Sequence, residues 1–239
     1  MVAGTLAGSG YYMGDDLISA SPSNPKGFFE DLEINMINEK LLDPVVPKRP
    51  RFLGRWLFRD RPTGDGKWLS QIPVGVHFSC PQEIAERIQS AVSRTPYCFK
   101  DPRFSYTLPA WKPFLQNTVF VCVFRHPAAT ARSIVKESRS PKWARKVSLN
   151  LKHALNVWTI MYRHILECHR HEGEWLFLHY DQVLSVEGLD RLESFLHAKV
   201  DRTFPDSNLR HDTPAEITSR KAMGLYQELC ALARFENSL

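Results

Sequence analysis

Long apolar runs are missing from this chain of 239 residues. None approaches the ~20 residues that cross a bilayer, so no segment reads as a membrane span. Cysteine is sparse. The five residues Cys80, Cys98, Cys122, Cys168 and Cys230 are scattered, with no pair at C-x-x-C or metal-ligand spacing. Buried free thiols in a reducing, cytoplasmic compartment are the expectation. Neither sign of charge dominates: 31 Lys and Arg against 26 Asp and Glu give a net charge of +5. That balance favours anionic ligands without demanding nucleic acid. The basic run Arg132, Lys136, Arg139, Lys142, Arg145 and Lys146 has little aromatic interleaving, so it reads as a solvated helix face. His164, His169 and His171 have no acid or cysteine at ligand spacing, and no metal is expected. Internal repeats and long linkers are absent, so 1–239 reads as a single domain. The opening Met1-Val-Ala-Gly-Thr-Leu-Ala-Gly lacks the basic flank of a signal peptide and is short for one.

Strand-like and helix-like segments alternate along the chain. Residues 1–9 resemble the tail of a small-residue helix, and 10–28 form a loop rich in Gly, Ser, Asp, Asn and Pro. Glu30 to Leu42 reads as a helix with Ile34, Ile37 and Leu41 on one face. Residues 43–76, rich in Pro, Gly and basic residues, read as a substrate-facing insertion around Trp56 and Trp68, with Lys48, Arg49, Arg51 and Arg55 as its cations. Pro81 to Arg94 is helical. Tyr97-Cys98-Phe99 reads as a short strand and Thr118 to Phe124 as a central one, apolar throughout as burial on both faces requires. A helix is expected over 127–138, opened by Pro127, and a long one from Trp143 to His169. Glu174 to Tyr180 is a further strand, 189–196 a helix, and 214–235 the closing helix. The pattern implies an α/β fold, a parallel β-sheet flanked by helices.

In such folds ligands bind at the carboxyl ends of the strands. Three strand ends carry polar residues there: Lys100-Asp101, Arg125 and Tyr180-Asp181. A guanidinium at Arg125 can grip a phosphate through two parallel hydrogen bonds, and Ser133 can add a neutral donor. Lys100 brings a second cation to the same edge. Glu30, where a loop turns into a helix, can take a proton from an attacking hydroxyl. The competing reading of Glu30 is an acid favoured by the helix dipole.

Together these residues resemble the sulfotransferases that use 3′-phosphoadenosine 5′-phosphosulfate (PAPS). Arg125 and Ser133, eight apart after a buried strand, look like the pair that holds the cofactor's 3′-phosphate. Lys100-Asp101-Pro102 is similar to the Lys-Asp-Pro of tyrosylprotein sulfotransferases and their bacterial relatives, in which the lysine assists catalysis. Asn24 to Asp31 resembles the NPKG-aromatic-aromatic-E segment of bacterial-type members, which puts Glu30 where the family has its catalytic base. Tyr180-Asp181-Gln182-Val183-Leu184 resembles a motif whose tyrosine lies near the nucleotide, and Arg210 would reach the same phosphate.

The resemblance implies a P-loop NTPase-like sulfotransferase fold and transfer of a sulfuryl group from PAPS to a hydroxyl or amine. The acceptor would be a small molecule, glycan or peptide, and no metal takes part. It also implies a first strand and a 5′-phosphosulfate loop that this sequence does not contain. Gly4 to Gly10 has no strand before it and no cation within it, and it misses the Walker pattern. The expectation is therefore an N-terminally truncated domain, poorly active by itself. Two alternatives stay open: a P-loop-type small-molecule kinase, and a non-catalytic nucleotide-binding protein.

Overall fold

The computed structural model describes residues 1–21, 24–50, 52, 57–140, 143–144, 146–209 and 219–236. Arg210 and the expected start of the last helix at Pro214 lie outside them, as do Arg51, Arg55, Trp56, Lys142 and Arg145.

The chain folds as a mixed α/β structure in the order α1 (Val2–Ala7), α2 (Leu32–Leu42), α3 (Gln82–Val92), α4 (Phe104–Trp111), β1 (Phe120–Phe124), α5 (Pro127–Ser138), α6 (Leu151–His164), β2 (Trp175–His179), α7 (Val186–Leu196) and α8 (Arg220–Ala233). Short 3₁₀ turns join some of these, and a π-turn over Ile165–His169 extends α6. The regular sheet among the described residues consists of β1 and β2, paired in parallel with Phe120 opposite Trp175 and Phe124 opposite His179. No described helix is long and apolar enough to cross a membrane.

Local chemistry sets most boundaries. The Asp31 carboxylate accepts from the Ile34 amide at 3.1 Å and starts α2. Pro127 opens α5 at a position where its missing N–H costs nothing. Ser185 caps α7 through the Gly188 amide at 3.1 Å. Asn150 caps α6 through the His153 amide at 2.9 Å. The long helix therefore begins at Leu151 rather than at Trp143. Trp143 and Val147 continue the apolar spacing and are buried, but from a turn region ahead of the cap. The strand expected at Tyr97–Phe99 is reduced to a single parallel bridge between Tyr97 and Tyr12.

Helices cover both faces of the two strands. On one face Cys122, Phe124 and Phe177 pack against Trp158 of α6 and Tyr226, Leu229 and Ala233 of α8. On the other, Leu176 and Leu178 pack against Val2 and Leu6 of α1 and Leu189 and Leu192 of α7. A third cluster joins α2, α3 and α4 through Ile34, Ile37, Ile84, Ile88 and Trp111. Burial of this apolar surface is the main stabilising term. Helix α1 lies tightly against the 200s segment. A β-carbon on Gly4 would stand 2.1 Å from the Phe204 ring, so any larger residue there would have to push that ring aside.

His164 and His169 are core residues. Each is buried, and the ring nitrogens meet the carbonyls of Ile72 and Ser105, both at 3.0 Å. Burial lowers the pKa of His169 from 6.5 to about 4, and that of His164 is lowered for the same reason. A histidine held neutral in the fold stabilises it above the unfolded pKa. That contribution is lost progressively as pH falls from 6.5 through the folded value. Between pH 7 and pH 4 the His169 shift should therefore remove up to ~3 kcal/mol of unfolding free energy. Urea denaturation at stepped pH measures this. His169→Gln, whose amide can still reach the Ser105 carbonyl, should flatten that part of the profile.

Candidate functional site

The parallel register brings the ends of β1 and β2 level, so Arg125 and Tyr180 leave the sheet side by side. The Tyr180 amide donates to the Phe124 carbonyl at 2.7 Å, closing the ladder. The Arg125 guanidinium then lies over the Tyr180 ring, 5.1 Å from its centroid, a cation–π contact that fixes both groups. His126 follows at the N-cap of α5. Its pKa is lowered by burial and by the neighbouring Arg125 charge, which favours a neutral ring. Ser133 lies within α5 and is exposed.

Glu30 and Lys100 are in direct contact as an ion pair. The Glu30 side chain is 12% exposed and that of Lys100 43%, so the pair opens to solvent on the lysine side. Glu30 is held by the backbone on both flanks. Its carbonyl accepts from the Ile18 amide at 2.8 Å, and the Leu32 amide donates to the Asp16 carbonyl at 2.9 Å. Phe29, just before it, adopts a left-handed φ of 53° and packs edge-to-face on Phe204. Lys26 donates to the Phe204 carbonyl at 2.5 Å, which docks the Asn24–Gly27 turn on the 200s segment.

Lys100 is positioned by its neighbour. Asp101 is buried and accepts from Asn38 Nδ2 at 2.9 Å, from the Arg103 amide at 2.8 Å and from Arg103 Nη1 at 2.9 Å. Arg103 also donates to Glu39 at 2.6 Å and to the Asp65 carbonyl at 2.5 Å. Asn38 Oδ1 in turn accepts from Thr107 and from the Trp111 indole, both at 2.8 Å. This network ties α2 to α4 and sets where Lys100 leaves the backbone. It also occupies the Asp101 carboxylate with a guanidinium.

Glu30, Lys100, Ser133 and Tyr180 all line one open cavity of about 2070 Å³. Trp68 and Trp143, edge-to-face with centroids 6.5 Å apart, also line it. Of the insertion read from the sequence, Asp65 and Trp68 thus reach the cavity. Arg49 instead turns inward, donating to the Arg61 carbonyl at 2.6 Å and the Lys146 carbonyl at 2.7 Å. On α5, Arg132, Lys136 and Arg139 are exposed. Burial raises the Cys98 and Cys122 thiols to about 12, so neither is a nucleophile at neutral pH. Among the described residues no group of three or more His, Cys, Asp or Glu could hold a metal ion.

Sequence reasoning missed Asn38, Glu39 and Arg103. Asn38 and Glu39 come from α2, Asn38 63 residues before Asp101, so no local spacing marks them; Arg103 is two residues from Asp101, and only its burial shows that it pairs inward. Comparison with protein-family models, with curated proteins and with solved structures finds no match.

Removing the guanidinium should show how much rests on the buried network. Arg103→Met leaves Asp101 buried without its cation and should cost ~3–5 kcal/mol of stability, read from urea denaturation. Asp101→Asn together with Arg103→Met should recover part of that loss, because no charge is then left unpaired.

Proposed function

We propose that the cavity is the site of a sulfotransferase that moves a sulfuryl group from PAPS to a hydroxyl. The observation that carries this reading is the convergence on one cavity of an acid–lysine pair, Glu30 and Lys100, with the strand-end residue Tyr180, on which Arg125 is stacked. The donor set suits the 3′-phosphate end of such a nucleotide. A guanidinium and a hydroxyl, Arg125 and Ser133, lie around the first two turns of α5, where the helix dipole also favours an anion. When bound, PAPS supplies the activated sulfuryl group.

Arg125 and Ser133 bind and set the register of the nucleotide. Glu30 accepts the proton of the acceptor hydroxyl at a carboxylate oxygen. Lys100 supplies a fixed cation against the negative charge that develops during transfer, a role whose removal typically costs ~10²–10³ in rate. Trp68 and Trp143 offer an apolar wall to the acceptor. The chain's own residues provide this acid–base pair and the phosphate anchor. The loop that would cradle the 5′-phosphosulfate is not among them.

Calorimetry with 3′,5′-adenosine bisphosphate tests the anchor first. Binding should be measurable, and Arg125→Ala should weaken it by roughly 10–100-fold, the worth of a charge-assisted hydrogen bond or two. Binding unaffected by Arg125→Ala would sink the reading. A PAPS turnover assay on the same protein separates a transferase from a nucleotide-binding protein. Where turnover is found, Glu30→Gln should lower kcat by ~10²–10⁴ with little change in nucleotide affinity.

A further inference from the structure

The helix that follows Glu30 carries an apolar surface that the polar site does not use. Leu17, Leu32 and Met36 are 39%, 41% and 51% exposed, and all three line the same cavity as Glu30. Large apolar side chains grouped in water mark a surface that gains by being covered. Other exposed apolar residues, such as Val186 and Leu232, stand apart from the cavity. The backbone keeps the three together. Leu32 and Met36 are four apart on α2 and share one face. Leu17 is bridged to Asp31, between the bond from the Leu32 amide to the Asp16 carbonyl at 2.9 Å and that from the Ile18 amide to the Glu30 carbonyl at 2.8 Å. These bonds tie the apolar lip to the backbone of Glu30 itself. The same face continues to Glu39, about 10 Å along the helix from Leu32 at 1.5 Å per residue. There Lys67 pairs with Glu39, and the next residue, Trp68, lines the cavity again.

One polar group interrupts this face. Asn35 is buried, lines the cavity and donates from Nδ2 to Glu30 Oε2 at 3.4 Å. Its Oδ1 has no hydrogen-bond partner among the described residues. A buried carbonyl oxygen without a donor is costly, so this place suits a single O–H or N–H from a ligand. The nearby charges select against an anion. From Asp15 to Met36 the sequence holds one base, Lys26, and its ammonium is engaged by the Phe204 carbonyl at 2.5 Å and the Asp206 carboxylate at 3.7 Å. Asp16 and Glu30 line the cavity on this side, and Lys100 is already paired with Glu30.

We infer that the lip of Leu17, Leu32 and Met36 binds an uncharged aliphatic alcohol, its hydrocarbon laid along α2 and its one hydroxyl at Asn35 and Glu30. Hydrocarbon covering these side chains removes apolar area from water on both partners. The further hydroxyls of a sugar would lose water on the same face and find no partners. A carboxylate or sulfate would be set against Asp16 and Glu30. A site that is apolar over most of its length, with one polar pair at a fixed place, orients a ligand by that pair. That the bound alcohol is the sulfuryl acceptor rests on the sulfotransferase reading; the site for it does not.

Calorimetry on the full chain, with no nucleotide present, tests this with n-octanol, ω-hydroxyoctanoate and glucose. The second has the same chain and hydroxyl but ends in a carboxylate, and the third has hydroxyls without the chain. n-Octanol should bind about tenfold or more tightly than either. Leu32→Asn and Met36→Asn should each weaken it by roughly 3–10-fold. The methyl ether of n-octanol, which cannot donate, should bind roughly 3–10-fold more weakly than the alcohol, and Asn35→Leu should remove that difference. No binding of n-octanol, equal binding of the three probes, an affinity unmoved by both lip substitutions, or an ether as tight as the alcohol would each overturn the proposal. So would sedimentation showing a dimer that Met36→Asn dissociates, because a second copy would then cover the lip. Should a variant fail to fold, the probe comparison on the unaltered chain decides alone. n-Octanol bound at the lip by a chain that takes up no 3′,5′-adenosine bisphosphate would support the site and remove the sulfotransferase reading, and the opposite pair of results would do the reverse.

Discussion

A buried carboxylate with a single guanidinium partner organises the site. Asp101 is out of water, and an ionised group in that position is tolerated only when paired and fully hydrogen-bonded. Arg103 supplies the charge, and Asn38 and the Arg103 amide supply the remaining donors. Each partner carries a second obligation. Asn38 must also satisfy Thr107 and Trp111, and Arg103 must also meet Glu39 and the Asp65 carbonyl. Helices α2 and α4 and the turn at Gly64–Leu69 are thereby fixed around one point. Lys100 is the residue before that point, so its direction is set by a network in which it takes no part. Its contact with Glu30 follows, because Glu30 precedes the Asp31 cap of the same α2 that carries Asn38.

The sheet edge is built by different means. Arg125 follows directly on the last residue of β1. Its place comes from the parallel register of β1 and β2, from the proline that starts α5 one residue past His126, and from the aromatic face of Tyr180. The two halves of the candidate site thus have separate supports, one polar and buried, the other a ladder end. Damage to the Asp101 network would displace Lys100 while leaving the β1–β2 ladder in place.

Features encoded over a few residues were legible in the sequence. Pro127 marked the start of α5, the spacing of Ile34, Ile37 and Leu41 marked the buried face of α2, and the apolar run before Arg125 marked β1. Two readings went astray for physical reasons. The apolar spacing of α6 continues backwards through Trp143 and Val147, because a turn packed on the core also buries residues at intervals of three and four. The cap at Asn150 was the signal that outweighed it. Tyr97–Phe99 has strand chemistry, but a strand is defined by its neighbours, and on one side this segment has only Tyr12. The role of Asp101 was hidden because Asn38 lies 63 residues away and nothing local marks the pairing. Of the residues proposed for function, Glu30, Lys100, Ser133 and Tyr180 reach one cavity, Arg125 joins them through Tyr180, and Arg210 lies outside the described residues.

The cavity is where these two supports meet. Its lining takes Glu30 and Lys100 from the side of the buried network, Tyr180 from the ladder end and Ser133 from α5. Neither support can place the groups of the other: the Asp101 network fixes the backbone ahead of α4, and the register of β1 and β2 fixes the residues that follow Phe124 and His179. The relative position of Lys100 and Arg125 is therefore set by how the α2–α4 side packs on the sheet. The cluster that holds Trp111 with Phe99, Phe120 and Trp175 makes that contact. Burial of those rings, a non-directional force, is what holds the two polar halves in their relative places.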